Sequence, residues 1–199
     1  MRLLLVALVL LSAATAGASN IALTGSEGHP RPRFPLGVYA AATGEPNLDA
    51  VVQRTLDDWN TLSRQSLGVP AFTRVEGEDA AQVVVAFEPP PPTRLMGQTR
   101  LGVTDGVIAV PVRIVVFAPT VRGETSRETL LYQVLAHELG HALGLPHTRD
   151  PRSLMCCVAG SVDFNDPAQR QAYIDARRHP DVASVREQLA AQYQTVWGR

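Results

Sequence analysis

Three of the chain's five histidines fall inside the eleven residues HELGHALGLPH, from His137 to His147. No other stretch of the 199 residues restricts the fold as much. His137 and His141 are four apart, so on a helix their imidazoles leave the same face one turn apart and can share one zinc ion. Glu138 is offset by one position and lies beside that ion, where the base for an activated water belongs. His147 is six residues beyond His141, a step that a straight helix does not return to the same face. The chain has to turn, and Gly144 allows it, because glycine takes positive φ at a helix end without a Cβ clash. Pro146 then keeps the helix from resuming. Three imidazoles leave the fourth position of a tetrahedral zinc open to water, as in a catalytic site. A bare His-Glu-x-x-His recurs by chance, but the full pattern arises in a chain this size with a probability on the order of one in ten thousand.

The segment leading into this motif reads as one long helix. Leu130, Leu131, Val134, Leu135, Leu139 and Leu143 repeat with helical period, and Thr125-Ser-Arg-Glu128 fits a capping box at its start. Upstream, Leu36 to Ala41, Ala71 to Val75 and Gln82 to Phe87 read as strands, the last apolar on both faces and therefore central. Between the first two, Leu48, Val51, Val52, Leu56, Trp59 and Leu62 mark a helix with Asn47 as its cap. A hairpin is expected from Gly97 to Val103, through Thr104-Asp105-Gly106, to Val107 to Phe117. Pro111 inside the second arm demands an edge, a bulge or a break. Asp166-Pro167 should open a short helix, and a final helix should start near Asp181 with Val182, Val185, Leu189, Tyr193 and Val196 on one side. The result is one compact α/β (α+β) unit.

His137, Glu138, His141, Gly144 and His147, followed by Ser153-Leu154-Met155, resemble the metzincin metallopeptidases and, among them, the matrixins. Thr148 supplies a hydroxyl where matrixins usually carry serine after the third histidine. The resemblance implies a metzincin-like catalytic domain with a mixed twisted sheet, a long active-site helix, a Met-turn at Met155 and a C-terminal helix. It implies one catalytic Zn2+ held by His137, His141 and His147, with Glu138 as the base. The activity implied is that of a secreted zinc-dependent endopeptidase, which hydrolyses peptide bonds through a zinc-bound water that the glutamate activates. By the same resemblance, the strand near Gly97 to Val103 forms the upper rim of the cleft and pairs with an extended peptide or protein substrate. The alternative is a secreted zinc-containing binding module of the same fold without turnover, although a ligand set kept for structure has no need of Glu138.

Three departures from the family pattern set limits. No cysteine precedes the zinc motif, so latency through a pro-segment thiolate is not expected. Glu88 to Met96 is short and lacks histidine, so a second zinc is not expected either. Cys156 and Cys157 follow Met155 directly. Being adjacent, with Cα atoms about 3.8 Å apart across a trans peptide, they are expected to stay free or to react between molecules. His29 reads as a solvated loop histidine, and Asp150 as either an acceptor behind a ligand or part of an Asp-Pro turn.

Residues 1–18 carry one positive charge, an apolar run from Leu3 to Leu11 and small residues ending at Ala18, the pattern of a cleaved signal peptide. The apolar run falls short of the roughly 20 residues needed to span a bilayer, so no membrane anchor is expected in the mature form. Residues 19–35, rich in glycine and proline, read as an extended N-terminal arm, and 36–199 as the matrixin-like domain. The expected location is extracytoplasmic: periplasm, cell surface or extracellular space. With a net charge of −1 and no basic run, no nucleic-acid partner is expected.

Overall fold

The computed structural model describes residues 23–93, 95–118 and 125–198; the leader at residues 1–18 lies outside them. A five-stranded mixed sheet carries the molecule. Its strands are β1 (Leu36–Ala40), β2 (Phe72–Arg74), β3 (Val83–Glu88), β4 (Gly97–Arg100) and, beyond a small hairpin, β7 (Val112–Phe117). They lie in the order β2-β1-β3-β7-β4, and all pairs are parallel except β4 with β7. The apolar β3 is central, as its composition requires.

The expected hairpin is divided. Asp105 and Gly106, both at positive φ, close a separate two-stranded ribbon of β5 (Val103–Thr104) and β6 (Val107–Ile108). Successive residues at positive φ suit a tight two-residue turn. The break falls at Pro111, and β7 then pairs on both sides, between β3 and β4.

Helix α1 (Pro46–Leu67) packs on β2 and on α2 (Arg127–Ala142), which in turn lies on β4 and β7. In β7 the residues Val112, Ile114 and Val116 are buried and Arg113 is open, so one face of the strand supplies the core. Trp59 of α1 is fully buried and its indole N–H donates to the Ala136 carbonyl of α2 at 3.2 Å. Two helix starts differ from expectation. Glu45, not Asn47, is the residue before α1, because Pro46 takes the first helical position, where its fixed φ fits and its missing N–H costs nothing. The α2 cap is Ser126 rather than Thr125; its hydroxyl accepts from Thr129 N–H.

After α2 come α3 (Pro167–Arg178), capped by Asp166, and α4 (Arg186–Trp197), which follows a 3-10 turn at Val182–Val185 capped by Asp181. Leu189 and Tyr193 of α4 are buried in the core. No helix among the described residues is long and apolar enough to cross a membrane.

The C-terminal end of α2 is buried, so its last carbonyls need partners. Leu145 N–H donates to Gly140 O and Gly144 N–H to His141 O, a Schellman closure around Gly144 at φ +90°. His29 Nε2 donates to Ala142 O at 2.9 Å, and the Tyr193 hydroxyl to Leu143 O at 2.9 Å. His29 is therefore not a solvated loop residue: it is fully buried, with Arg33 donating to its Nδ1. A burial of that kind is invisible while the distant helix end it caps is still unplaced.

Burial holds the His29 imidazole down at about 4, helped by the Arg33 charge and opposed by the Ala142 hydrogen bond. The neutral form is the native one, so its contribution is complete above the ordinary pKa of 6.5 and is lost as pH falls towards 4. The loss amounts to about 3 kcal/mol. Thermal unfolding followed from pH 7 to 4 should therefore fall more steeply in the wild type than in His29→Gln, which has nothing to titrate there. Parallel curves would refute this role.

Candidate metal centre and cleft

His137 and His141 project from the last turns of α2, and His147 returns after the Gly144 turn. His147 Nε2 lies 3.1 Å from both His137 Nε2 and His141 Nε2. His137 Nδ1 is 2.8 Å from Leu154 O and His141 Nδ1 is 2.8 Å from Leu145 O. A carbonyl only accepts, so each Nδ1 carries the proton and each Nε2 presents a lone pair inward. Lone pairs this close repel unless a cation or a proton stands between them. A tetrahedral zinc with Zn–N bonds of about 2.0–2.1 Å separates its nitrogen ligands by roughly 3.3–3.4 Å, so the spacing fits.

Electrostatics favour the same occupant. Burial pushes His137 down to about 3, with the other two imidazoles and Arg177 adding to the effect and the Leu154 bond opposing it. Burial pushes His141 down to about 4 against the Leu145 bond, and lowers His147. All three are held neutral, as ligands must be. Burial also raises the Glu138 carboxyl to about 7, against the pull of a hydrogen bond from Thr99.

The floor of the site is built from the segment after His147. Thr148 N–H donates to Met155 O at 2.9 Å and Val158 N–H returns to Thr148 O at 3.0 Å. Met155 is fully buried under α2; a Cβ on Gly140 would lie 2.5 Å from its sulfur, so only glycine admits the methionine there. The Leu154 peptide is held at both ends, its N–H by Ser184 Oγ at 2.9 Å and its carbonyl by His137. Arg177 of α3 donates to Cys156 O at 2.9 Å. Asp150 takes the turn role, its carboxylate accepting from Arg152 N–H. Cys156 and Cys157 are joined in a disulfide, contrary to the expectation of free thiols. That expectation applied the Cα range of ordinary disulfides, which the small ring closed by two adjacent cysteines does not follow.

Above the site runs β4, the edge of the sheet. Glu138 is nearly buried against it: Thr99 Oγ1 lies 2.6 Å from Glu138 Oε2 and 3.0 Å from Glu138 O. A Cβ on Gly97 would sit 2.7 Å from Glu138 Oε1 and from Val134 Cγ1, so the strand reaches α2 only because this residue is glycine. Gly97, Thr99, Ser184 and Arg177 were not legible as site residues. An isolated glycine in a strand does signal close backbone approach, and that cue was available for Gly97.

A family model of the matrixins matches residues 57–169, more than half of the chain and inclusive of every residue of the histidine cluster. The chain belongs to the matrixin family. Matrixins are zinc metallopeptidases, and the mixed sheet, the histidine-bearing helix and the C-terminal helix of this matrixin are those of the family's catalytic domain. Over 37 residues it is 51% identical to the macrophage metalloelastase of Oryctolagus cuniculus, which covers 19% of this chain and 8% of that protein. The matrixin described here thus spans under a tenth of that relative's length.

Proposed function

We propose that this matrixin is a secreted endopeptidase in which His137, His141 and His147 hold a single zinc through their Nε2 atoms and Glu138 is the general base. The observation that carries the reading is the convergence of three Nε2 atoms, with a buried carboxylate next to the first histidine in sequence and packed against the sheet edge. A zinc ion at that point supplies Lewis acidity and acidifies water. Glu138 takes a proton from the attacking water and returns it to the leaving amide nitrogen. β4 holds the substrate: Gly97 and Thr99 face Val116 and Ile114 across the ladder, while Phe117 N–H bonds to Met96 O. In an antiparallel pair that alternation turns the backbone groups of Gly97 and Thr99 outwards, where an extended peptide can add as a strand. Export through a leader ending at residue 18, with residues 36–199 as the peptidase domain, completes the proposal.

The test is metal analysis joined to cleavage of a peptide library by the purified protein. One zinc per chain is expected, with cleavage within peptides that stops on chelation and returns with added zinc. Two zinc ions per chain, or none, would refute the ligand assignment. A zinc-loaded protein that cleaves nothing would favour the binding module without turnover.

A further inference from the structure

We infer that Thr99 is a positioning residue for the reaction: its hydroxyl fixes Oε2 of Glu138, so that Oε1, beside Gly97, is the oxygen that receives the proton. The inference rests on the proposal that Glu138 is the base. Among the described residues, Thr99 is the one hydrogen-bond partner of that carboxylate. The last torsion of a glutamate is broad and nearly two-fold, so an untethered carboxylate would exchange its oxygens and spread over many orientations. Thr99 Oγ1, at 2.6 Å from Oε2, selects one.

The selection survives proton transfer. When an O–H bond of the attacking water breaks, its electron pair stays on the water oxygen and the proton joins Oε1. Oε2 then becomes the carbonyl oxygen of the acid and still accepts from Thr99. When the proton leaves Oε1 for the departing nitrogen, the same bond is still in place. The base is therefore held in one pose in both of its states, a preorganisation that costs no movement at the moment of reaction.

The location of Thr99 couples this to the substrate. Its side chain faces α2 while its backbone groups face the open edge of β4, so one residue sets both the base and the register of an added peptide strand. Replacing only its hydroxyl separates the two functions. Thr99→Val keeps the backbone, the volume and a good strand former, and removes the donor.

For Thr99→Val, kcat should fall about tenfold to a hundredfold, the range for a lost hydrogen bond to a charged group. KM should stay within about twofold, because the substrate-binding backbone is untouched. Zinc content should remain one per chain, since Thr99 is not one of the three residues that would hold the ion, and Thr99→Ser should recover most of the rate. In a Glu138→Gln background Thr99→Val should add less than about twofold, because it acts through a carboxylate that is no longer there. A kcat for Thr99→Val within about twofold of wild type would overturn the inference while leaving Glu138 as the base. An undiminished further loss in the Glu138→Gln background would overturn it too. Wild-type activity in Glu138→Gln alone would sink the base assignment itself, a separate result. If the valine variant does not fold, Thr99→Ala and Thr99→Ser make the same comparison.

Discussion

Replacing Glu138 with glutamine should leave zinc bound and the fold intact while lowering kcat/KM for peptide hydrolysis by at least about 10²-fold. The size of the effect follows from the position of the side chain. Glutamine has the volume of glutamate and fits between Gly97 and Thr99, where there is no spare room for anything larger. Its amide oxygen can still accept from the Thr99 hydroxyl, but neither amide atom can take up a proton near neutral pH. The carboxylate belongs to none of the three inward nitrogens, so metal binding should be indifferent to the change. Zinc content by mass spectrometry and turnover of a fluorogenic peptide settle the matter together. Full turnover in the variant would exclude Glu138 as the base; loss of zinc along with activity would place it in the coordination sphere.

Gly144→Ala should have the largest effect on stability. The residue sits at φ +90°, where an L side chain is strained, and a Cβ there would lie 2.5 Å from Glu27 O and 2.6 Å from Gln192 Nε2. Neither neighbour can retreat cheaply: Glu27 O is backbone, and Gln192 is buried while donating to that same oxygen. Backbone strain and overpacking together should cost about 2–5 kcal/mol, a large part of the 5–15 kcal/mol typical of a domain. The turn also returns His147 to its partners, so zinc affinity should fall with stability. Denaturant unfolding and a competitive zinc titration measure the two. A variant as stable and as tightly zinc-binding as wild type would show that the turn tolerates a side chain after all.

Much of this architecture is written in local patterns. The period of the apolar residues from Leu130 to Leu143, the glycine at 144 and the proline at 146 announce a helix that ends in a turn, and the structure has both. Pro111 announced a break, and β6 and β7 separate there. What stayed hidden depends on partners far away along the chain. Thr99 in a strand is an unremarkable residue until α2 lies across it. His29 reads like any loop histidine until the end of α2 comes to rest on it. Ser184 gains a role only when the Leu154 peptide is brought to it from 30 residues away. The adjacent cysteines escaped for a different reason, since the Cα range of ordinary disulfides argued against the bond they make.

The closure of the α2 end has a bearing on the order of events during synthesis. Its carbonyls are taken up by His29 and Tyr193, and Gln192 ties Glu27 across 165 residues. Contacts of such separation form late and slowly. A ribosome that has delivered His137, His141 and His147 has not yet delivered Gln192 and Tyr193, which hold the end of α2. The three-histidine site is thus among the last parts of the molecule to be finished, and a growing chain carries its histidines well before the helix end that gathers them is held.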